Sequence, residues 1–309
     1  MNPKVSVIVP NYNHATYLEQ RIESIINQTY QDFELIFLDD CSTDNSVEVL
    51  KRYATYPKVS HFVVNEQNSG STFKQWDKGI NLASGEWIWI AESDDWAERE
   101  FLEKMVESIV KGPENVSICF SNSYLSDKES VVGDIYDKDF ELYVNDFSII
   151  GKHLVDKYMP YQNIIPNASA VIFKKAYFPK DLINELTTFK INGDWFLWIN
   201  LLLKGNCIFV SRPLNYFRRH DGAGSPKNVL NYKNIEEAMR INVFLKQKNI
   251  IINPQYWLNF WLIQANYNIK RILKINFKAV YSQATKLYPY PMLYILTKIA
   301  KHKFKAKFL

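Results

Sequence analysis

Three short polar segments carry most of the side chains that could do chemistry. Pro10-Asn11-Tyr12-Asn13-His14 follows the β-branched run Val5–Val9. Asp39-Asp40-Cys41-Ser42-Thr43-Asp44 follows the apolar run Phe33–Leu38, and Ala91-Glu92-Ser93-Asp94-Asp95-Trp96 follows Trp87–Ile90. In parallel α/β sheets, ligands bind beyond the carboxyl ends of the strands, so these segments converge on one crevice, and two of them present paired carboxylates. The first glycine of the chain is Gly70. A dinucleotide-binding GxGxxG or a Walker loop needs glycines directly after the first strand, where the backbone approaches phosphate, and neither is present. If the crevice binds a nucleotide, carboxylates holding a divalent cation are the obvious substitute, because a hard cation takes carboxylate and phosphate oxygens together. Glu92-Ser93-Asp94-Asp95 is the candidate cluster. A solvated acidic cap before a helix near Glu98 is the competing reading, and the neighbouring Asp39-Asp40 favours the metal.

The elements that must position these residues alternate cleanly. Leu18, Ile22, Ile25 and Ile26 predict a helix over Thr16–Gln28. Ser42-Thr43-Asp44-Asn45 supplies an N-cap before a helix Ser46–Tyr53. A strand Val59–Val64, a helix Phe73–Ala83, a strand Glu86–Ile90, a helix Glu98–Val110 and a strand Val116–Ser121 follow. Unalternated apolar strands between helices predict an α/β fold, a mostly parallel central sheet covered on both faces with right-handed crossovers. Leu125–Pro166 reads as an irregular, acceptor-facing segment. Ala168–Phe173 reads as a strand, Trp195–Leu203 as a helix and Ile208–Val210 as a short strand. After Ser225 the chain reads as helical and basic.

Bulk properties narrow the class. A 47% hydrophobic, 23% charged chain of 309 residues builds a core easily, which excludes disorder, collagen and disulfide scaffolds. Cys41, Cys119 and Cys207 are odd in number and widely spaced, which fits reduced thiols and no CxxC metal site. Met1-Asn2-Pro3-Lys4 leads straight into a strand, unlike a signal peptide, and no apolar run approaches the ~18–20 residues of a membrane span. The net charge of +4 hides an asymmetry. Residues 238–309 carry 13 Lys and Arg and no Asp or Glu, so the first 237 carry 24 basic and 33 acidic side chains, a net of −9. The basic, aromatic tail either packs as helices with a solvated Lys-rich end or is an interfacial region attracted to anionic lipid. No nucleic-acid-binding motif accompanies it, so nucleic acid is not expected as a partner.

Several ordered motifs together resemble the family 2 glycosyltransferases of the GT-A fold, of the bacterial surface-polysaccharide type. They are Val5–Asn13, Asn27-Gln28-Thr29-Tyr30, Phe33-Glu34-Leu35-Ile36, Asp39–Asp44, Asn68-Ser69-Gly70, Ala83-Ser84-Gly85-Glu86 and Glu92-Ser93-Asp94, the last resembling the DxD metal motif. Gly193-Asp194-Trp195 is similar to the family's catalytic-base position, and Tyr216-Phe217-Arg218-Arg219-His220 to its late Arg-x-His segment. The match spans roughly residues 4–225. It implies a GT-A catalytic domain over 1–225 and a helical, basic and aromatic C-terminal region over 226–309.

The resemblance implies a role for each matched residue. Asp40 takes the uracil or ribose of a nucleotide-sugar, with Pro10 and Asn11 shaping the base pocket. Asn13, Asp39 and Asn68 belong to the same nucleotide-binding set. Asp94 and Asp95 hold Mn²⁺ or Mg²⁺ against the diphosphate, and Asp94 belongs to both sets. His220 approaches the metal or the diphosphate, Arg218 neutralises leaving-group charge, and Asp194 is the general base. Two departures stand out. Glu92 replaces the first Asp of DxD, so no metal bond is assigned to it. Trp76-Asp77 replaces an Arg-Asn pair common in the family, leaving Lys74 or Lys78 as a substitute diphosphate contact.

The physical logic is that of an inverting, single-displacement transfer. A sugar leaving a nucleoside diphosphate puts its electron pair on phosphate, where a divalent cation stabilises it. The acceptor hydroxyl loses a proton as it attacks, which calls for one carboxylate across the sugar from the metal. The expectation is a metal-dependent transferase that uses a nucleotide-sugar, UDP-linked, and a glycan or lipid-linked acceptor in surface-polysaccharide synthesis. Its expected place is cytoplasmic, at the inner face of the cytoplasmic membrane through the basic tail. The alternatives are a non-catalytic nucleotide- or glycan-binding module on the same fold, and a nucleotidyl- or dehydrogenase-type enzyme, which the missing glycines disfavour. His14 reads as structural or surface. Trp96 reads equally as a sugar platform or as core.

Overall fold

The structure, a computed structural model, describes residues 4–127, 130–135, 141–220 and 232–253. In chain order the elements are β1 (Val5–Asn11), α1 (Ala15–Ile26), β2 (Phe33–Asp39), α2 (Ser46–Tyr53), β3 (Val59–Val64), α3 (Thr72–Leu82), β4 (Trp87–Ile90), β5 (Trp96–Ala97) and α4 (Phe101–Lys111). There follow β6 (Val116–Asp127), β7 (Ser130–Asp134), β8 (Phe147–Ile150), α5 (Gly151–Lys157), β9 (Val171–Lys174), α6 (Ile183–Leu186), α7 (Gly193–Leu202), β10 (Asn206–Arg219) and α8 (Tyr232–Gln247). The described residues divide into two compact units, 4–154 with 165–220, and 155–164 with 232–253.

The ten-stranded sheet of the first unit runs β3-β2-β1-β4-β9-β6-β10-β5, with β7 on β6 and β8 on β10. The pairs β1–β2, β1–β4, β2–β3 and β6–β10 are parallel, and β9 runs against β4 and β6. Every residue of β1, β2 and β4 is buried, which explains their unalternated sequences. Parallel pairing of Asn11 with Asp39, and of Ile8 with Ile90, puts the polar segments after β1, β2 and β4 on one edge.

Both faces are covered. On one, Leu18, Ile22 and Ile25 of α1 join Phe101, Met105 and Val106 of α4 in a core with Val7, Phe37 and Trp89. On the other, α3 comes so close to β1 that a Cβ on Gly79 would sit 2.4 Å from Ile8 Cγ2, so only glycine fits there. Cys41, Cys119 and Cys207 are free thiols.

Two readings of the sequence are corrected. The segment 125–166 is more ordered than expected, holding the end of β6, β7, β8 and α5. Its polar composition reflects edge strands, every residue of β7 being exposed. The strand expected at Ile208–Val210 extends over the fourteen residues of β10. Ser211-Arg212-Pro213 looks like a terminator because proline has no amide to donate, yet the strand passes it through register shifts at Val210/Pro213 and Pro213/Asn215. That extension carries the chain to His220. The basic, aromatic tail beyond Asn253 lies outside the described residues. No helix among the described residues is long and apolar enough to cross a membrane.

Candidate active site

At the carboxyl edge of β1, β2 and β4 lies a cleft of about 520 Å³. Its lining includes five carboxylates, Asp40, Glu92, Asp94, Asp95 and Asp194, and one lysine, Lys190. Pro10, Asn11, His14, Asn68 and Trp76 also face it.

The end of β2 is rich in hydrogen-bond donors. Asp39, with no exposed surface, accepts from Asn11 Nδ2 at 2.7 Å, Ser42 N at 2.8 Å and Ser42 Oγ at 2.7 Å. It does not reach the cleft; it ties β1 to the turn after β2. Asp40 does reach it. Its Oδ1 accepts from Asn65 Nδ2 (2.6 Å), Ser69 N (2.9 Å) and Gln75 Nε2 (2.9 Å), and Oδ2 accepts from Ser69 Oγ (2.7 Å). A carboxylate offers about four acceptor sites, two per oxygen, so Oδ2 retains room for another donor. Asn68 donates to the Asp40 carbonyl at 3.0 Å and accepts from Gly70 N at 2.7 Å. Asn13, in the left-handed region at φ 57°, has Oδ1 on Thr43 N at 2.7 Å and lies outside the cleft lining.

The end of β4 is built the opposite way. Arg21 has no exposed surface, lies 5.5 Å over the Trp89 ring and donates from Nε to the Glu92 carbonyl at 2.8 Å. Its two terminal nitrogens have no hydrogen-bond partner. Arg218 donates from Nε to the Asp94 carbonyl at 2.8 Å, with its guanidinium 4.7 Å from Tyr17 and 4.4 Å from Trp96. Two guanidiniums thus grip alternate carbonyls of one acidic turn. Arg218 lies outside the cleft lining, so it positions the turn. Trp96 stacks on Tyr216 at 4.6 Å, with Arg218 also on its ring, so it packs rather than offering a sugar platform.

The carboxylates of this turn differ sharply. Asp95 accepts from Arg218 N at 2.9 Å and from Asn167 Nδ2 at 3.1 Å; burial and the charge of Asp94 push it up to about 6. Glu92 accepts from Trp76 Nε1 at 2.7 Å; burial, then Asp94, push it up to about 8. Asp94 behaves otherwise. Burial would raise it, but the His220 hydrogen bond and the charges of His14 and His220 outweigh burial and hold it below its ordinary value. Burial lowers His14 below its ordinary value, against the opposing pull of Asp94.

Asp94 Oδ2 and His220 Nε2 lie 3.1 Å apart, and the ligand atoms of His14, Asp94 and His220 all lie within 4.8 Å of one another. Ligands about 2.1 Å from a cation and at right angles are about 3 Å apart, so the Asp94–His220 separation fits two adjacent ligands. The two-residue strand β5 makes this meeting possible. It pairs antiparallel with Asn215 and Tyr216 of β10 and holds the end of that strand against the turn. Asp95, expected in the same ligand set, is instead committed to the Arg218 amide and Asn167.

The start of α7 also contributes to the lining. Gly193 lies against Phe73, whose ring would be 2.5 Å from a Cβ there, and this contact seats Asp194 in the cleft. Lys190 donates to the Gly70 carbonyl. Lys74 and Lys78, expected near a diphosphate, lie outside the lining and bond Ser69 O and Asn65 Oδ1.

Sequence reasoning missed His14, Lys190, Arg21 and the Trp76–Glu92 bond. Arg21 carried a signal: it falls between Leu18 and Ile22 on the apolar stripe of α1, where a charge needs a buried partner. Lys190 carried none, because its place depends on two loops distant in sequence.

Comparison with known proteins agrees with this architecture. The sequence profile of the family described as "Glycosyl transferase family 2" matches residues 6–174. The chain is 35% identical over 109 residues to the "Putative teichuronic acid biosynthesis glycosyltransferase TuaG" of Bacillus subtilis, covering 35% of this chain and 43% of that one. It is 27% identical over 235 residues to "Glycosyltransferase GlyG" of Streptococcus pneumoniae, covering 72% and 73%. The match thus spans less than half of TuaG. Among solved structures, S. aureus TarS 1-349 in complex with UDP-GlcNAc superposes with a TM-score of 0.64 at 20% identity, covering 86% of this chain and 73% of that one. The fold is therefore of the GT-A type.

Proposed function

The chain belongs to glycosyl transferase family 2, and on that premise we propose that it transfers a sugar, with inversion, from a UDP-linked donor to a hydroxyl of a glycan or lipid-linked acceptor, assisted by a divalent cation. The observation that carries the reading is that one cleft is lined both by Asp94, which meets His220 in a cation-type cluster, and by Asp194 from the start of α7. An acidic cleft with a single lysine repels a diphosphate unless a cation joins it, and Asp94 with His220 would hold that cation.

Each side chain then has a task. Pro10, Asn11 and Asn68 shape the nucleoside pocket, and Asp40 Oδ2 accepts from the base or ribose. Asn13 and Asp39 keep that pocket in shape from behind. A cation held by Asp94 and His220 would supply the charge stabilisation that the departing diphosphate requires. Lys190 adds a second positive charge at the mouth. Asp194 takes the acceptor proton as the acceptor oxygen bonds to the anomeric carbon and the bond from that carbon to the phosphate oxygen breaks, the electron pair leaving with UDP. The teichuronic acid biosynthesis for which TuaG is named and the UDP-GlcNAc bound by TarS support a surface-polymer acceptor and a UDP-sugar donor. The excess of basic residues after Ala238 supports an enzyme held at the inner face of a membrane near a lipid-linked acceptor.

The test is a panel of nucleotide-sugars with and without Mn²⁺, read by UDP or GDP release. Metal-dependent release of UDP from one or a few UDP-sugars is expected. Tight UDP binding with no turnover on any donor, identical for the wild type and Asp194→Asn, would establish a binding module instead.

A further inference from the structure

We infer that His14 is a third protein ligand of the cation, completing a site of two imidazoles and one carboxylate. The inference rests on the reading that Asp94 and His220 hold a cation, and it goes further by assigning the third ligand.

The geometry assembles His14 from three directions. Asn13, at φ 57°, turns the chain out of β1, and Ser42 Oγ accepts its amide at 2.9 Å, which fixes where the next residue begins. The His14 ring stands edge-on to Tyr17 and His220, with centroids 5.9 and 5.6 Å away. Its Nδ1 lies 2.8 Å from Ser93 Oγ, and Ser93 is buried within the acidic turn itself. In the tautomer whose Nδ1–H donates to that hydroxyl, the ring's lone pair sits on Nε2. Metal-binding histidines characteristically have one ring nitrogen engaged by such a partner, which sets the tautomer and orients the ring. A histidine that only filled space would not need a buried hydroxyl from the same turn that carries Asp94.

Imidazole nitrogen suits first-row transition cations, which makes Mn²⁺ a fitting probe of the site. Two imidazoles and one carboxylate leave the other positions open for phosphate oxygens of a donor.

The test uses the full, metal-stripped chain without nucleotide. Mn²⁺ is titrated and followed by electron paramagnetic resonance, with nitrogen couplings read by pulsed measurements. The wild type is expected to show two coupled imidazoles. His14→Gln should lose one imidazole coupling and weaken Mn²⁺ by ~10-fold or more. Ser93→Ala, which keeps the ligand and frees the ring, should weaken Mn²⁺ by a smaller factor. A wild-type spectrum with one imidazole, or equal Mn²⁺ affinity in His14→Gln, would overturn the assignment. The wild-type spectrum decides the matter even if a variant folds poorly. UDP titration into the Mn²⁺-loaded wild type is read separately. Absent UDP binding beside intact two-imidazole Mn²⁺ binding would overturn the donor reading and leave the ligand assignment supported.

Discussion

The carboxyl ends of β2 and β4 are both short acidic turns on the same edge of one sheet, and they do opposite things. At the end of β2, Asp39 and Asp40 are met by seven donor contacts from Asn11, Ser42, Asn65, Ser69 and Gln75. At the end of β4, Glu92, Asp94 and Asp95 crowd together, and the arginines behind them grip the backbone carbonyls. Glu34, at the start of β2, shows the donor-rich extreme. Burial would raise it, but bonds from Ser6, Ser60 and Ser84 outweigh that and bring it down to about 2. The β4 carboxylates Glu92 and Asp95 go the other way. The supply of donors, more than the residue type, decides whether a buried carboxylate serves as scaffold or as a site awaiting a cation.

The largest test of that contrast is on the donor-poor side. Asp94→Ala is expected to abolish the metal-dependent part of UDP affinity, measured calorimetrically with Mn²⁺ and with chelator, while the fold survives. Unchanged affinity in the variant would break the comparison. Asp194→Asn is expected to lower turnover by ~10²–10⁴-fold and to leave donor affinity nearly untouched, since loss of a general base affects the chemical step alone. Equal turnover would exclude Asp194 as the base and leave it an acidic residue of the first turn of α7.

On the donor-rich side the damage should appear as stability. Asp39→Ala leaves the Asn11 amide and the Ser42 hydroxyl and amide without their acceptor, and urea unfolding is expected to show a loss of about 2–4 kcal/mol. UDP affinity of the folded fraction should hold. A stable variant with lost UDP binding would place Asp39 with Asp94 instead.

The pH dependence should separate a donor-rich carboxylate from a donor-poor one by sign. Glu34 in the folded state lies below its ordinary 4.5, so its contribution is complete above that pH and is lost as pH falls towards about 2. Glu34→Gln should flatten that acid limb. Glu92 lies above its ordinary 4.5, so the folded metal-free protein keeps its proton longer than the unfolded chain, and stability falls as pH rises from about 4.5 to about 8. Glu92→Gln should flatten the neutral limb instead. Slopes of the same sign in both variants would contradict the donor account. The smallest effect is expected for Trp76→Phe, which removes one donor from Glu92 and should cost about 1 kcal/mol, growing above pH 7.

The sequence alone determined the sheet and the edge where chemistry occurs. Fully apolar strands must be buried on both faces, parallel pairing brings their ends together, and the lack of glycine before Gly70 removes the usual phosphate cradles. The strand-end polar segments were legible for that reason, whereas Asp194 and His220 were singled out by the family resemblance. What only the tertiary structure decided was the assignment of partners. Asp39 and Asp40 are adjacent in the chain, yet one is sealed in a hydrogen-bonded turn and the other faces the cleft. Asp94 and Asp95 are likewise adjacent, yet Asp95 bonds the Arg218 amide while Asp94 meets His220. His14 joins them from 80 residues away through the hydroxyl of Ser93, and Arg21 supports them from the buried face of α1. Local pattern specifies which face of an element is apolar, whereas hydrogen-bond supply and charge balance are sums over neighbours that only the packed fold brings within reach.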